Sequence, residues 1–452
     1  MSTTERTGHR RDLAAAGIAA LLVTAAVAVG TFIEHTDGTL HLNWPPLYAR
    51  WDPHVGPGTP AALAVAVAVI AYGPALAARL SWRPLLLAAW TASMAWIWSL
   101  ALVDGMYRGV AQRLTTKYEY LQVVDRFEDI PATLRDFTRH ILIDSPDPWP
   151  AHTAGHPPGA ALTFVLLDRV GLGGGAWAGA FCVTAGSTAV AAVLITLRAL
   201  ADEATARRAA PFLVLTPAAI WVGASADGYF AAVTAWTIAL LALAATRTVR
   251  SPAAAALGSG LLFGLVCYLS YGLTLFALVV AAVLLITRSL RPLPLLLAGA
   301  AVVPLIFTLA GFNWWEAYHL LVERYHQGAG GIRPYGYFVW ANLACTVLVV
   351  GPATVAALRR TAASAPATFG RLYTGRTTPA DRLTALVLAA LLALLAADLS
   401  GMSKAETERI WLPFTTFLSA ATALLPGAAR RHWLTAQAVL ALLLNHLLFT
   451  GW

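Results

Sequence analysis

The chain is dominated by long apolar runs that are separated by short polar intervals. Runs of about 20 apolar residues, enough to cross the hydrocarbon core of a bilayer, recur from Leu13 to Leu448. The first run, Leu13–Ile33, exceeds the roughly 7–15 apolar residues of a signal peptide, so we expect an uncleaved first helix with a cytoplasmic N-terminus. Counting the runs at this length gives about 13 crossings. The pattern therefore predicts an all-α, polytopic transmembrane helix bundle.

Composition supports this class and excludes a soluble one. Hydrophobic residues make up 58% of the chain and charged residues 12%, with a mean hydropathy of +0.65, whereas soluble domains carry roughly 25% charged residues. We expect a single integral membrane domain over residues 1–452, with three spans in 13–103, an outer loop in 104–156 and the remaining spans in 157–452. The three cysteines lie inside apolar runs without CxxC spacing, which indicates buried apolar positions rather than disulfides or metal ligands.

The net charge of +8 comes from arginines in short clusters between the apolar runs, so it indicates orientation in the membrane rather than a nucleic-acid partner. The clusters are Arg79/Arg83, Arg198/Arg207/Arg208, Arg247/Arg250, Arg288/Arg291, Arg359/Arg360, Arg371–Arg382 and Arg430/Arg431. Placing them in the cytoplasm makes the other loops external. The external segments are then Glu34–Thr59, Asp104–Gly155, Ser225–Gly228, Asn313–Tyr335 and Ser400–Glu408. Any active site is expected on the outer face of a multi-pass protein of the cell membrane.

The outer loop in 104–156 alternates apolar and charged residues at helical spacing, which predicts helices that lie in the membrane interface. One apolar face would contain Tyr120, Val123, Val124 and Phe127, and a second would contain Leu134, Phe137, Ile141 and Leu142. The next apolar run, Pro157–Val170, is too short for a full span and is followed by "GLGGG". We expect a half-helix that enters from the outer face and ends at these glycines.

Three acidic residues near the outer ends of spans are candidates for chemistry, because charges at membrane depth are costly unless they are paired or hydrated. Glu119 is the preferred general base, since it lies between Tyr118 and Tyr120, whose rings could stack on a sugar. Asp104, directly after the third span, is the alternative base. Asp227 would face the same cavity from the opposite wall. The competing interpretation of each is a solvated loop acid.

Two histidines accompany these acids in the stretch "AHTAGHPPGAALTF". Its two prolines are explained as the first turn of a helix, where the missing N–H groups cost nothing. His156 is not explained in that way, because a histidine is not a preferred N-cap residue. We expect His152 to line the substrate cavity. We expect the His156 ring to lie near the N-cap and to face the same cavity.

Two further outer segments carry basic residues that suit an anionic ligand. "SGMSKAETERIWLPF" carries Lys404 and Arg409, and "ERYHQGAGGIRPYGYF" carries Arg324, His326 and Arg333 around a glycine run that lets backbone N–H groups approach an anion. We expect Arg409 to grip a phosphate with its fork, Arg333 to close over it, and Lys404 to add a cationic donor. Arg324 and His326 would line the cavity. For Arg409 the competing interpretation is an arginine that reaches the lipid headgroups.

An acidic–aromatic segment after a span, interfacial helices and a His-Pro-Pro helix start together resemble the GT-C superfamily of membrane glycosyltransferases. The segments "YEYL", "GHPPG", "ERYHQGAGGIRPYGYF" and "GMSKAETERIWLPF" resemble most closely the methylthioxylose transferase family of envelope enzymes. The resemblance implies that the loop with Glu119 carries the catalytic acidic residue and that the helix start at His156 borders the phosphate of a lipid donor. It also implies transfer of a methylthioxylose-type pentose from a polyprenyl-phosphate donor to an envelope glycan or lipoglycan.

Such a transfer needs a base for the acceptor hydroxyl, cationic donors for the departing phosphate and an apolar path for the lipid tail. The residues specify no cofactor, and a divalent cation is compatible with the chemistry. The main alternative is a transporter or flippase of an amphipathic solute, which would carry ionisable residues in mid-span. Asp168 and Asp398 are the main residues that approach that position, and Asp168 could pair with Arg169. A non-catalytic scaffold subunit is the third interpretation.

Overall fold

The computed structural model describes residues 3–451, with side chains from residue 7 onward. Within this range the chain forms α-helices, short 3-10 helices, one five-residue π-helical turn and one small sheet. The α-helices are Thr3–Thr36, Thr59–Arg79, Trp82–Ala101, Ile130–Asp136, Ala151–Gly155, Gly159–Arg169, Gly175–Ser187, Ala189–Leu200, Glu203–Val214, Ala219–Val222, Ala226–Thr246, Pro252–Leu269, Ala277–Thr287, Leu293–Leu309, Trp314–Gln327, Ala329–Ile332, Tyr335–Thr374, Pro379–Leu399, Thr407–Ile410, Leu412–Leu418 and Arg430–Leu447.

The remaining elements are short. The 3-10 helices are Leu102–Asp104, Arg113–Thr115, Tyr120–Phe127, Phe137–His140, Tyr271–Phe276, Ser419–Leu424 and Gly427–Ala429, and the π-helical turn is Tyr107–Ala111. The strands Ala49–Trp51 and Leu448–Thr450 pair antiparallel, with Ala49 opposite Thr450. This pairing joins the first outer loop to the end of the described chain.

The helices confirm an all-α polytopic membrane bundle. Among the described residues, eight helices are long and apolar enough to cross a membrane, or up to ten if each of two sharply bent helix pairs is one span. The sequence-based count of about 13 is higher than this number. Part of the difference comes from apolar runs that do not form one long helix. The first of these runs is broken into the helices Glu203–Val214 and Ala219–Val222, and the second, Tyr271–Thr287, is short. Two further apolar segments, Leu412–Leu424 and Gly427–Leu447, form a pair bent by 115°.

Arginines from most of the basic clusters meet other helix ends at one end of the bundle. Contacts there join Arg207 to Leu80, Arg382 to Leu200, Arg288 to Leu372, and Arg359 and Arg360 to Asp12. Arginines that donate to the last carbonyls of a helix stabilise its C-terminus. We call this the basic end, and we call the end that carries Glu119 and Asp227 the site end. If the basic end faces the cytoplasm, as the positive-inside pattern predicts, the site end faces outward.

The helix Ala226–Thr246 lies in the middle of the bundle. In its most apolar window 78% of the residues are buried, whereas the share is 17% for the peripheral helix Thr7–Thr36. Alanines and threonines dominate its buried positions, and small residues of this kind let membrane helices approach closely. The N-terminus of this helix, with Asp227 in its first turn, therefore lies at the centre of the site end.

The outer loop is ordered by helices, but they are shorter than the interfacial helices that the sequence predicted. The longest are the eight-residue 3-10 helix Tyr120–Phe127 and the seven-residue α-helix Ile130–Asp136. Most of the predicted apolar positions do point inward, namely Tyr120, Val123, Phe127, Leu134, Phe137 and Ile141. The predicted spacing of the buried apolar positions was therefore correct, although the segment forms short 3-10 and α-helices instead of long interfacial helices.

A short helix, Gly159–Arg169, stands where the half-helix was predicted, and Gly171 and Gly174 after it both have a φ of 84°. The expected pairing of Asp168 with Arg169 was wrong. Arg169 instead donates to the carbonyls of Phe127 and Glu128 at 2.7 and 2.8 Å. The physical reason is that backbone carbonyls of the outer loop lie within reach and need donors. The contact ties the half-helix to the outer loop.

Candidate active site

A buried ion-pair cluster at the site end is centred on the guanidinium of Arg409. Its Nη1 donates to Asp227 Oδ2 at 2.6 Å, and its Nη2 donates to Glu406 Oε2 at 2.7 Å and to His152 Nε2 at 2.9 Å. Arg409 is 5% exposed and Asp227 is 4% exposed. Removal of one partner of a buried pair typically costs about 3–5 kcal/mol. The cluster is therefore a fixed part of the fold at this end.

The acidic partner on the central helix is positioned by an N-cap. Ser225 accepts a hydrogen bond from Gly228 N and begins the helix Ala226–Thr246. Asp227 is thereby held in the first turn, where the helix dipole favours a negative charge. Ala224, just before the cap, has a φ of 53°, a left-handed conformation that is costly for a residue with a β-carbon.

The opposite side of the cluster is built on strained backbone. Ala405 and Glu406 have φ values of 72° and 61°, and they directly precede the short helix Thr407–Ile410. Left-handed residues other than glycine cost about 1–3 kcal/mol each and are concentrated at functional sites. Here the turn lets Glu406 accept from Arg409 both through its carboxylate and through its backbone carbonyl.

The contact between Arg409 and His152 fixes the protonation of the histidine ring. An arginine is only a donor, so His152 Nε2 must accept from it and the ring proton lies on Nδ1. This nitrogen is 3.0 Å from Glu119 Oε1, and Glu119 is 3% exposed. The result is a hydrogen-bonded chain in which Asp227 and Glu406 hold Arg409, Arg409 holds His152, and His152 donates to Glu119. We call these five residues the relay.

The charges of the relay reinforce one another. Burial alone would disfavour the charged form of Arg409, but Asp227 and Glu406 raise its pKa further above the usual value. Burial likewise opposes ionisation of Glu406, yet the positive charge of Arg409 lowers the pKa of this carboxyl group. Each charged group therefore stabilises the charged form of its partner.

The relay borders a narrow cavity of ≈ 10 Å³. Glu119, His152, Asp227 and Arg409 line it, together with Arg113, Leu114, Tyr120, Ala224, Ser225 and Ala226. Glu119 and Asp227, which the sequence placed on opposite walls of one cavity, do line the same cavity. A cluster of charged groups in a cleft at the end of apolar helices is a candidate functional site on physical grounds.

His156 follows the helix Ala151–Gly155 and lies two residues before Pro158, the N-cap of the helix Gly159–Arg169. It is therefore near the N-cap, as predicted, but it is not among the residues that line the cavity. Its Nδ1 donates to the His152 carbonyl at 2.8 Å, which turns the ring toward Tyr120. Burial lowers the pKa of His156 to about 4. The place of His156 beside the donor phosphate stays a prediction, and a neutral ring would border the phosphate without adding a positive charge.

Asp104 lies behind the cavity rather than on its wall. His54 Nε2 is 3.2 Å from its Oδ1, and Arg113 Nη2 donates to its Oδ2 at 3.0 Å. Arg113 also donates to Thr450 O at 2.6 Å and stacks on the ring of Phe449. Asp104 is thus enclosed by a basic cluster that anchors the small sheet. Arg113 itself lines the cavity, so the two sites share one residue.

The basic residues of the two outer segments meet at the edge of the relay. Arg333 is 4.0 Å from Glu406, and it donates to Leu40 O and to Lys404 O at 2.9 Å. The Nζ of Lys404 donates to Gly330 O at 2.8 Å. The sequence therefore correctly grouped the two segments. The predicted grip of Arg409 on a phosphate is at odds with the structure, because two carboxylates and a histidine occupy its fork.

Four other predicted cavity residues are placed around the site. Tyr120 is 2% exposed and packs against the rings of His152 and Phe164. Tyr118 is 45% exposed. Arg324 donates weakly to Trp149 O at 3.4 Å. His326 bonds the Val322 carbonyl of its own helix. The cavity wall contains Tyr120 but not Tyr118, Arg324 or His326, because the helix Trp314–Gln327 lies beside the relay.

Several residues of the site were missed by the sequence reasoning. Glu406 stands in a segment that was singled out, but only its basic neighbours were selected. Glu408, two residues on, is fully buried, accepts from Tyr48 N at 2.9 Å and from Cys345 Sγ at 3.3 Å, and has its pKa raised to about 7 by burial. The acid-rich stretch "KAETER" was the available signal for both.

The described residues contain no group of three or more His, Cys, Asp or Glu side chains that could hold a metal ion. The guanidinium of Arg409 stands between Asp227, Glu406 and His152, where a cation would otherwise be expected. The donor set around the cavity therefore does not fit a divalent cation, and no step of the chemistry below uses one.

Fold and site together define a class, a multi-pass helical membrane protein with an ionisable cluster at one end of the bundle. No protein-family model and no curated protein matches the chain. The chain is similar to crystal structures of the oligosaccharyltransferase of Archaeoglobus fulgidus. For the apo form the identity is 12%, the TM-score 0.44, and the similarity covers 81% of this chain and 56% of that one. For the complex with Zn and sulfate the values are 15%, 0.41, 80% and 51%. The chain spans about half the length of these structures.

Proposed function

We propose that the chain is a GT-C-type glycosyltransferase that moves a sugar from a polyprenyl-phosphate donor to an envelope glycan at the outer face of the membrane. The observation that carries this proposal is the relay, in which Glu119 lines a cavity at the end of a bundle of apolar helices and is held by His152 and Arg409. The sequence motifs add the finer proposal of a methylthioxylose-type pentose and a lipoglycan acceptor.

In the proposed reaction Glu119 is the general base. The acceptor hydroxyl oxygen bonds to the anomeric carbon of the donor sugar, and its proton passes to the carboxylate. His152 engages Oε1 of Glu119, so we assign the proton transfer to Oε2. A base must stand within hydrogen-bond reach of the proton it takes, and a carboxylate that is clamped on one oxygen presents the other in a fixed direction.

The bond from the anomeric carbon to the phosphate oxygen breaks in the same step, and polyprenyl phosphate leaves as an anion. We assign this anion to Lys404 and Arg333 at the edge of the relay. Lys404 Nζ has three donors, and Gly330 O takes one of them. Arg409 contributes positive charge from behind, while its fork keeps His152 and therefore Glu119 in place. We assign the phosphate to Lys404 and Arg333 rather than to Arg409 because carboxylates already occupy the guanidinium of Arg409.

The arrangement favours this function over transport. A proton-coupled carrier needs ionisable groups near the middle of its spans. Asp398 lies one residue before the end of the helix Pro379–Leu399, at the site end, and accepts from Asn342 Nδ2 at 2.9 Å. It ties two helices together beneath the relay.

The experiment that tests the proposal uses the purified full-length protein alone in proteoliposomes, with a polyprenyl-phosphate pentose and a mannoside acceptor. We expect a glycosylated mannoside, reduced strongly by Glu119→Gln and unaffected by His432→Gln, an exposed histidine at the basic end. Movement of labelled donor across the bilayer without product would instead establish a transporter. Absence of both, with product formed only after a second protein is added, would establish a scaffold.

A further inference from the structure

An apolar groove lies where a long apolar helix ends and the chain turns sharply into the next helix. The helix Leu293–Leu309 and the next helix, Trp314–Gln327, are bent by 79° at this point. The groove has a volume of ≈ 600 Å³, and its lining includes Tyr268, Thr308, Gly311, Phe312, Trp314 and Trp315. Tryptophans at such a corner are typical of the depth at which headgroups meet acyl chains.

A second, polar groove of ≈ 680 Å³ lies next to the apolar one on the outer loop. Its lining includes Arg126, Arg135, Arg139, His140 and Trp149. Two of the arginines are paired, Arg126 with Asp147 at 3.1 Å and Arg139 with Asp136 at 2.9 Å. Arg135 is exposed and forms no salt bridge with a side chain that the structure describes. It is therefore the positive charge of this groove that lacks a compensating anion.

The two grooves share a wall. The stem of Arg135 crosses the backbone at Gly311, where a β-carbon would collide with it, and Gly311 has a φ of 95°. The ring of Phe312, in the apolar groove, packs on Phe137 at 5.6 Å, and Phe137 packs on Trp149, in the polar groove, at 5.2 Å. The apolar groove thus continues directly into the groove that carries Arg135.

We propose that these grooves bind one anionic glycerophospholipid of the surrounding bilayer, with an acyl chain along Tyr268, Thr308 and Trp315 and the phosphate on Arg135. The occupant follows from complementarity, since an amphiphile with a negative head matches an apolar groove that ends at an unpaired arginine. The site is separate from the relay and does not depend on the proposed reaction. A bound lipid would hold the loop that leads through Trp149 to His152.

Native mass spectrometry of the purified full-length protein in an equimolar mixture of phosphatidylglycerol and phosphatidylcholine tests this site. We expect phosphatidylglycerol to be retained about tenfold more than phosphatidylcholine, the effect of roughly one charge-assisted hydrogen bond. Arg135→Gln should abolish the preference, and Thr308→Trp should fill the groove and reduce the retention of both lipids. Arg83→Gln removes an exposed arginine at the basic end and should behave as the wild type.

Equal retention of both lipids by the wild type, or an unchanged preference in Arg135→Gln, would overturn the proposal. Arg135 is exposed, so its variant is expected to fold, and a thermal-unfolding measurement on both variants checks this. Displacement of phosphatidylglycerol by glycerol 3-phosphate alone would show a site for free phosphate instead of a lipid. Retention that is unaffected by Thr308→Trp in a folded protein would show that the acyl chain lies elsewhere.

Discussion

Replacement of His152 separates a positioning role of this residue from a direct one in proton transfer. His152→Leu removes the acceptor that meets Arg409 at 2.9 Å and the donor that meets Glu119 at 3.0 Å. Each is a hydrogen bond to a charged group, worth about 1.5–3 kcal/mol. If the bond to Glu119 is what holds the base in its reactive geometry, a loss of about 3 kcal/mol lowers kcat roughly 10²-fold. The KM for the donor should change little, because the contact is with the base and not with the lipid.

His152→Gln distinguishes the two roles. An amide also offers an acceptor and a donor, so it can accept from Arg409 and donate to Glu119, and we expect kcat within about tenfold of the wild type. The assay is initial-rate sugar transfer in proteoliposomes at varied donor concentration, with His432→Gln as the control. If the Gln variant is as inactive as the Leu variant, His152 transfers a proton itself. If both retain wild-type rates, the relay does not position the base and the reasoning is refuted.

Four further predictions follow from the contacts described above. Glu119→Gln should lower turnover about 10²–10⁴-fold, whereas Asp104→Asn should mainly lower thermal stability. Both variants are compared in kinetic and unfolding assays, and the reverse pattern would assign the general base to Asp104. Arg409→Lys keeps the charge but cannot reach all three partners, so kcat should fall about 10–100-fold with normal membrane insertion; wild-type turnover would make it an interfacial anchor. A cysteine that replaces Tyr118, which is 45% exposed, should react with an impermeant thiol reagent added outside intact cells. A cysteine that replaces Tyr373, which is 90% exposed, should react only after the membrane is permeabilised. The opposite pattern would show that the topology is inverted. The pKa of Glu408 is raised from 4.5 to about 7, so the stability that depends on its protonated form is full below pH 4.5 and is lost as the pH rises through 7. Glu408→Gln should therefore gain about 3 kcal/mol over the wild type at pH 8 and little at pH 4, as measured by unfolding in detergent; equal gains at both values would exclude this titration.

The hydrophobic pattern predicted the class of fold, because the class depends on local quantities. The lengths of apolar runs and the positions of arginines are enough to group Glu119, Asp227 and Arg409 at one end of the bundle. The number of spans was less accessible, since breaks such as the one between Glu203–Val214 and Ala219–Val222 depend on how the helices pack.

The relay could not be read from the sequence in the same way. The partners of Arg409 lie 182 and 257 positions away in the chain, at Asp227 and His152, so only the packed fold shows that its fork is occupied. The orientation of Glu406 depends on the left-handed backbone of Ala405 and Glu406, and neither residue type predicts that conformation. His156 was placed by its neighbouring prolines, whereas the carbonyl of His152 determines where its ring points.

The most direct test of the central claim is the release of polyprenyl phosphate by the purified protein, measured together with the glycosylated acceptor. Wild type should form the two products in a one-to-one ratio, and Glu119→Gln should reduce both by the same factor of about 10²–10⁴ while donor binding is kept. Release of both products at the wild-type rate by Glu119→Gln would contradict the account, because the relay would then have no base to position.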